Sequence, residues 1–345
     1  MKRIRSPLAA LLALTLLCSL CSVSASAAVK RKTAATPVQY QTYTFLGDSI
    51  AAGYGIKQDD TGKYVRPVWE VVPGTYPELV AKGVRASTTH VQAYCGFRTD
   101  EALRLLDPEY EAAMSESDRA LSDRMLAGAC ELSQESLHEH QALAADQIRQ
   151  SDLITIELGS NDCMTASAFR FSQYRSEHPE NLSDKITEFR KTLDQYGEKG
   201  EELDMLIKNS QSLFNMSVFS LPGFFQFMDN WDVLIRTIRK LNPTAKIVVV
   251  GMYNPYRNWT VTEKNKIPVG HAIDGAVDLV SFYMSTLSKE RSQYDFVDIR
   301  TVDVKTLPPA KDPGFLQALF IDIHPTLQGH QYIAEQILKD LRKEG

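Results

Sequence analysis

Short apolar runs alternating with helical stretches predict an α/β fold, a parallel sheet covered by helices on both faces. The runs are Tyr43–Leu46, His90–Tyr94, Leu153–Leu158, Ile247–Gly251 and Phe296–Ile299, each followed by a turn. The helical stretches include Trp231–Leu241, Ala272–Leu287 and roughly Leu327–Arg342, the last amphipathic with Ile333, Ile337 and Leu341 at i, i+4 and i+8. Size agrees: 345 residues, 43% hydrophobic and 23% charged, exclude fibrous and wholly disordered classes and allow a large core. Sites in such sheets gather beyond the carboxyl ends of the strands.

The chain opens with Lys2, Arg3 and Arg5, then an apolar run from Leu8 to Leu20 and small residues up to Ala25-Ser26-Ala27. That order predicts a signal peptide over residues 1–27, cut after Ala27, and a secreted or extracytoplasmic protein. The run is short for a membrane span, so no stable span is expected after cleavage; an uncleaved anchor is the alternative. Cys18 and Cys21 follow Thr15-Leu16-Leu17 and Cys18-Ser19-Leu20, which lack the small residues of a lipobox. Residues 28–40, rich in Ala, Thr, Lys and Arg, read as a flexible lead-in. A single domain over 41–345 follows, with insertions at about 100–150 and 165–230.

The formal charge of −5 becomes −8 when Lys2, Arg3 and Arg5 leave with the signal peptide. With no Lys/Arg block elsewhere, nucleic acid and anionic lipid are excluded as backbone-driven or polybasic partners. Cys95, Cys130 and Cys163 remain after cleavage, an odd number that leaves one thiol free or intermolecular. A Cys95–Cys130 bridge and burial of all three as small residues are both open readings. His138-Glu139-His140 is not a zinc spacing, and Gly62-Lys63 has Lys57 where a phosphate loop needs its first Gly. No metal and no cofactor are expected.

The first insertion is charged and helical, and the second ends in the apolar, aromatic segment Leu213–Met228. That segment reads either as a helix packed on the core or as an acyl-binding lid over a site. Asn181, Asn215 and Asn258 fit the N-x-S/T pattern, which is short and frequent by chance.

The chemistry-bearing residues follow the strands. After the first comes Gly47-Asp48-Ser49-Ile50-Ala51-Ala52-Gly53. A serine on a tight turn at the sheet edge is a poor nucleophile until a base takes its proton. The alternative is a turn that only caps the next helix. It is not the G-x-S-x-G elbow, because Ala51 stands where the second Gly is required. The third strand ends in Gly159-Ser160-Asn161-Asp162, where an amide can donate to a developing oxyanion or simply form a turn. Near the C-terminus, Asp322-Ile323-His324-Pro325 places a His on a loop beside a carboxylate, a general base with its orienting group or a lone surface His.

Taken in order, Gly47-Asp48-Ser49, Cys95-Gly96, Gly159-Ser160-Asn161-Asp162 and Asp322-Ile323-His324-Pro325 resemble the SGNH hydrolase superfamily, the GDSL-type esterases and lipases. Each block is weak alone; their order and positions after strands make the joint match specific. Lys246–Tyr256 also looks like that family's fourth strand and following loop. The resemblance implies a three-layer αβα, flavodoxin-like fold with five parallel strands in the order 2-1-3-4-5. It implies Ser49 as nucleophile, His324 as base, and an oxyanion hole of the Ser49 and Gly96 backbone N–H groups with the Asn161 side chain. One departure stands out: the family usually places its triad Asp three residues before the His, where Ile321 stands here. Asp322, two before, is the triad acid if the loop absorbs one residue; otherwise a backbone carbonyl near Ile321 orients His324. His330, Asp48 and Asp162 read as structural, and a Cys95–Cys163 bridge under the site is a further option.

The function expected is a secreted serine esterase or lipase acting on small-molecule or lipid esters. The alternatives are a carbohydrate O-acetylesterase, with an acylated polysaccharide as substrate, and a catalytically silent surface or lipid-binding protein of the same fold.

Overall fold

The chain runs from β1 (Thr42–Gly47) through the short α1 (Ser49–Ala52) and α2 (Tyr76–Gly83) to β2 (Thr88–Ala93). A helical stretch follows: α3 (Thr99–Leu106), α4 (Pro108–Ala113), α5 (Glu116–Met125), a π turn at Leu126–Cys130 and α6 (Gln134–Gln150). Next come β3 (Leu153–Glu157), α7 (Ser160–Met164), α8 (Leu221–Leu241), β4 (Lys246–Val250), α9 (Val269–Arg291), β5 (Asp295–Val297) and α10 (Leu327–Leu341). The structure is a computed structural model that describes residues 39–62, 67, 69–164, 187, 190–198, 200–201, 204–205, 221–255, 257, 269–291, 293–303 and 323–343. The expected signal peptide, the N-x-S/T sites, residues 213–220 of the apolar segment, Ile321 and Asp322 lie outside them.

All five strands are parallel and ordered β2-β1-β3-β4-β5, the order the resemblance implies. β1 pairs with β2 up to Gly47–Ala93 and with β3 up to Gly47–Glu157, so these three strands end level at one carboxyl edge. Two strands are slightly shorter than their apolar runs, β3 at Leu153–Glu157 and β5 at Asp295–Val297, whereas β1 and β2 are slightly longer than theirs. Helix α8 is longer than the expected Trp231–Leu241, beginning at Leu221. Pro222 fits this start, since proline is tolerated in a helix's first turn, where a backbone N–H would have no intrahelical partner.

Side chains alternate across the sheet with the period of two that strands impose. Leu46, Ile154, Ile156, Ile247 and Val249 join one core, with Leu103, Ile148, Trp231 and Leu279 from the helices on that face. Tyr43, Phe45, Leu153, Val248 and Val250 join the other, with Val80, Ile333 and Ile337 of α2 and α10. Both faces are therefore covered, which is why these strands carry so few polar residues. Phe224, Phe225 and Phe227 of the apolar segment are buried in the first core. Phe227 packs on Trp231 with ring centroids 5.1 Å apart, and the Trp231 indole donates to Tyr294 Oη at 3.2 Å. The described end of that segment is thus core helix rather than an exposed lid.

Cys95, Cys130 and Cys163 form no disulfide, so neither bridge considered from the sequence is formed. Cys163 is fully enclosed, and burial, reinforced by Asp162, pushes its thiol well above the ordinary range. Among the described residues no helix is long and apolar enough to cross a membrane.

Candidate active site

Ser49 follows β1 directly and opens α1. Asp48 adopts extended backbone at the N-cap, and its Oδ1 accepts from Ile50 N at 2.9 Å. Gly47 is required by the same turn, since a Cβ there would lie 2.5 Å from Ala51 Cβ and 2.8 Å from the Glu157 carbonyl oxygen. The serine hydroxyl is thereby held at the carboxyl edge of the sheet, and Ser49 Oγ lies 2.8 Å from His324 Nε2. With the ring proton on Nδ1, the hydroxyl donates to Nε2, the arrangement in which His can take that proton.

His324 comes from the loop before α10, 275 residues away in sequence. Tyr253, just beyond β4, donates from Oη to the Ile323 carbonyl at 2.5 Å. The Tyr54 ring packs on the imidazole with centroids 4.7 Å apart and planes tilted by 58°. Thr326 caps α10 by accepting from Gly329 N at 3.1 Å. Asp322, proposed from the sequence as the triad acid, is among the residues not described. His330 is elsewhere: fully buried in α10, it accepts from Tyr76 N at 3.2 Å and so docks α2 on α10.

Gly96 lies just past β2 with φ +76°, and a Cβ there would come within 2.4 Å of Ala129 Cβ. Both the left-handed backbone and the contact require glycine. Asn161, in α7 just after β3, donates from Nδ2 to Asp48 Oδ2 at 3.0 Å and to the Phe97 carbonyl at 3.1 Å. The three sequence blocks after β1, β2 and β3 therefore meet: Asn161 bridges the Ser49 turn and the Gly96 loop.

Buried charge holds these loops. Asp162, with no exposed surface, accepts from Thr99 N at 3.1 Å and from Thr99 Oγ1 at 2.5 Å. Burial and the neighbouring Asp100 push its carboxyl up to about 7, against the pull of Arg98 and Thr99. Arg98 is 1% exposed and forms a two-pronged contact with Glu101, Nε to Oε2 at 2.9 Å and Nη2 to Oε1 at 2.6 Å. Burial works against the Arg98 charge, but Glu101 and Asp100 more than offset it. Asn230 and Gln226 of α8 donate to Asp100 at 2.8 and 2.9 Å, fastening the same turn to the helix behind it.

Three side chains here carried no sequence motif. Tyr54 and Tyr253 belong to elements whose approach to His324 only folding brings about. Glu157 did leave a trace, an acid closing the apolar run Leu153-Ile154-Thr155-Ile156. It is 2% exposed and hydrogen-bonds the Asp48 carboxyl; burial, then the Asp48 charge, holds its own carboxyl well above the usual range. Among the described residues no group of three or more His, Cys, Asp or Glu is placed to hold a metal ion.

A profile of the GDSL-like Lipase/Acylhydrolase family matches residues 45–332. No curated protein matches the chain by sequence. Among solved structures, the chain is similar to phospholipase A1 from Streptomyces albidoflavus NA297, at 16% identity over 87% of this chain and 98% of that one, with a TM-score of 0.44. An extracellular lipase from Streptomyces rimosus is similar at 17% identity over 87% and 98%, with a TM-score of 0.43. A family 2 carbohydrate esterase with a carbohydrate-binding domain, from Corynascus thermopiles (Myceliophthora fergusii), gives 16%, 88%, 66% and 0.42 for the same measures. With the family profile spanning all four sequence blocks and the start of α10, the chain belongs to the GDSL-like lipase/acylhydrolase family of carboxylic ester hydrolases.

Proposed function

We propose that the protein hydrolyses carboxylic esters through an acyl-enzyme on Ser49, with His324 as general base and acid. The observation that carries this is the 2.8 Å contact between Ser49 Oγ and His324 Nε2 at the carboxyl edge of the sheet. Ser49 Oγ attacks the ester carbonyl as its proton passes to Nε2. The Ser49 and Gly96 backbone N–H groups and Asn161 Nδ2 donate to the oxyanion as it forms. Both Nδ2 hydrogens are engaged in the free site, by Asp48 and by Phe97 O, so donation to the oxyanion replaces the bond to Phe97 O. His324 then protonates the leaving alkoxide, and a water deprotonated by the same imidazole releases the acid. Asp322 orients the imidazole in this reading, with a backbone carbonyl as the alternative.

The basic, apolar and small-residue order of residues 1–27 supports export with cleavage after Ala27, ahead of a lead-in and one catalytic domain over 41–345. The acyl preference is not carried by Phe224, Phe225 or Phe227, which are core residues. Hydrolysis of p-nitrophenyl esters from acetate to palmitate by the protein and by Ser49→Ala tests the mechanism. Turnover abolished in the variant supports it, and the chain-length profile separates a short-acyl deacetylase from a lipase. Absence of turnover together with absence of fluorophosphonate labelling at Ser49 would instead identify a silent binding fold.

A further inference from the structure

Leu153 enters the core beneath α2 and α10, and period-two alternation sets Thr155 and Glu157 on that same face. Thr155 is satisfied there by Tyr43 Oη at 2.7 Å. Among the described residues Glu157 is not met by a Lys or Arg. The titratable groups that act on it are Asp48 from the β1 turn and Tyr76 from α2; Tyr76 is in turn influenced by Tyr43 of β1, and Asp48 by His324. None of these is a Lys or Arg. Glu157 Oε2 receives no hydrogen bond from any described residue.

Two carboxyls at 1% and 2% exposure cannot both remain ionised side by side, because desolvation and mutual repulsion act in the same direction. Burial raises both, and Glu157 accepts backbone N–H groups of Ala51 and Asp48 that favour its anion, yet burial and the Asp48 charge carry Glu157 well above the usual range. Asp48 receives Ile50 N on one oxygen and Asn161 Nδ2 on the other, bonds that favour its anion. A proton on Glu157 also supplies the donor needed between the two acids. Its carboxyl lies well above the usual range, from burial and then the Asp48 charge.

We propose that Glu157 is a positioning residue for ester hydrolysis at Ser49: as the neutral acid it donates a hydrogen bond to Asp48, which in turn holds the Asn161 amide and the Ser49 turn. This rests on the reading of Ser49 as nucleophile and Asn161 as oxyanion donor. Loss of the Glu157 proton to solvent at alkaline pH then sets a second negative charge behind the oxyanion hole and lowers kcat.

The test uses the full chain and the variants Glu157→Gln and Glu157→Leu, with p-nitrophenyl acetate turnover across pH and infrared difference spectra. Gln keeps a neutral donor; Leu has none. Expected are a protonated-carboxyl band at neutral pH in the unsubstituted protein that Glu157→Gln removes, and a kcat about tenfold lower in Glu157→Leu with KM within about twofold. Glu157→Gln should recover most of that kcat and lose the alkaline decline. A difference spectrum without that band overturns the proposal, whichever variants fold. Equal kcat and pH profile in Glu157→Leu and the unsubstituted protein also overturn it, as does a Gln variant as impaired as Leu. Unchanged turnover in Ser49→Ala would count against the reading of the nucleophile instead, while the infrared band still decides where the proton lies.

Discussion

On the nucleophile and donor side of the catalytic edge, Asp48, Glu157, Asp162 and Arg98 are each at most 2% exposed, and each bonds another acid or a neighbouring loop. The loop carrying His324 is held differently, by Tyr253 on the Ile323 carbonyl, the Tyr54 ring and the Thr326 cap. Among the described residues, the first half is tied by buried acids and an arginine, and the second by a ring, a helix cap and a phenolic hydrogen bond. Donors that stabilise a developing charge are effective when they need not reorganise, and buried polar networks are rigid when every member is satisfied.

The largest expected effect lies where the halves meet. Ser49→Ala and His324→Ala should each lower kcat by on the order of 10⁴-fold or more, and the double variant should lose little beyond either single one. Additive losses in steady-state rates would show that the pair does not act as a unit. Within the donor half, Asn161→Ala should cost about 10²- to 10³-fold in kcat with little change in KM. A loss confined to KM would place Asn161 in substrate binding and remove the main contrast between the halves.

In the base half, Tyr253→Phe keeps the ring and removes only the bond to Ile323 O. A fall in kcat of about tenfold or less is expected, since one neutral hydrogen bond contributes about 1 kcal/mol. A loss as large as that of Asn161→Ala would show the His324 loop to be as tightly specified as the donor loops.

The smallest effect concerns stability. The Asp162 carboxyl is raised to about 7 in the folded protein, mainly by burial and Asp100, above the unfolded value of about 3.9. Its favourable contribution is therefore complete below about pH 4 and fades as pH rises through about 7. Asp162→Asn, which cannot titrate, should flatten that part of the stability curve in urea titrations from pH 4 to 8. An unaltered slope would mean that Asp162 is already ionised across the range.

Much of this was legible in the chain itself. The apolar runs specify the strands because a sheet covered on both faces must be apolar at consecutive positions, and the i, i+4, i+8 spacing of Ile333, Ile337 and Leu341 marks α10 because a helix repeats every 3.6 residues. The blocks around Ser49, Gly96, Asn161 and His324 stood out because turns at strand ends leave short local signatures. The apolar segment ending at Met228 read as either core helix or lid, because hydrophobicity alone does not say what a helix packs against.

The sequence by itself determined the fold class, the order of the strand-end blocks and the residue types at the reacting positions. Those depend on periodicity and on steric demands that act within a few residues. Only the tertiary structure decided that Glu157 lies against Asp48, that Asp162 receives Thr99, and that Tyr54 and Tyr253 hold the His324 loop. These contacts join strands and loops far apart in the chain. Whether a carboxyl is neutral or charged is set by the groups folding brings around it, which no local pattern encodes.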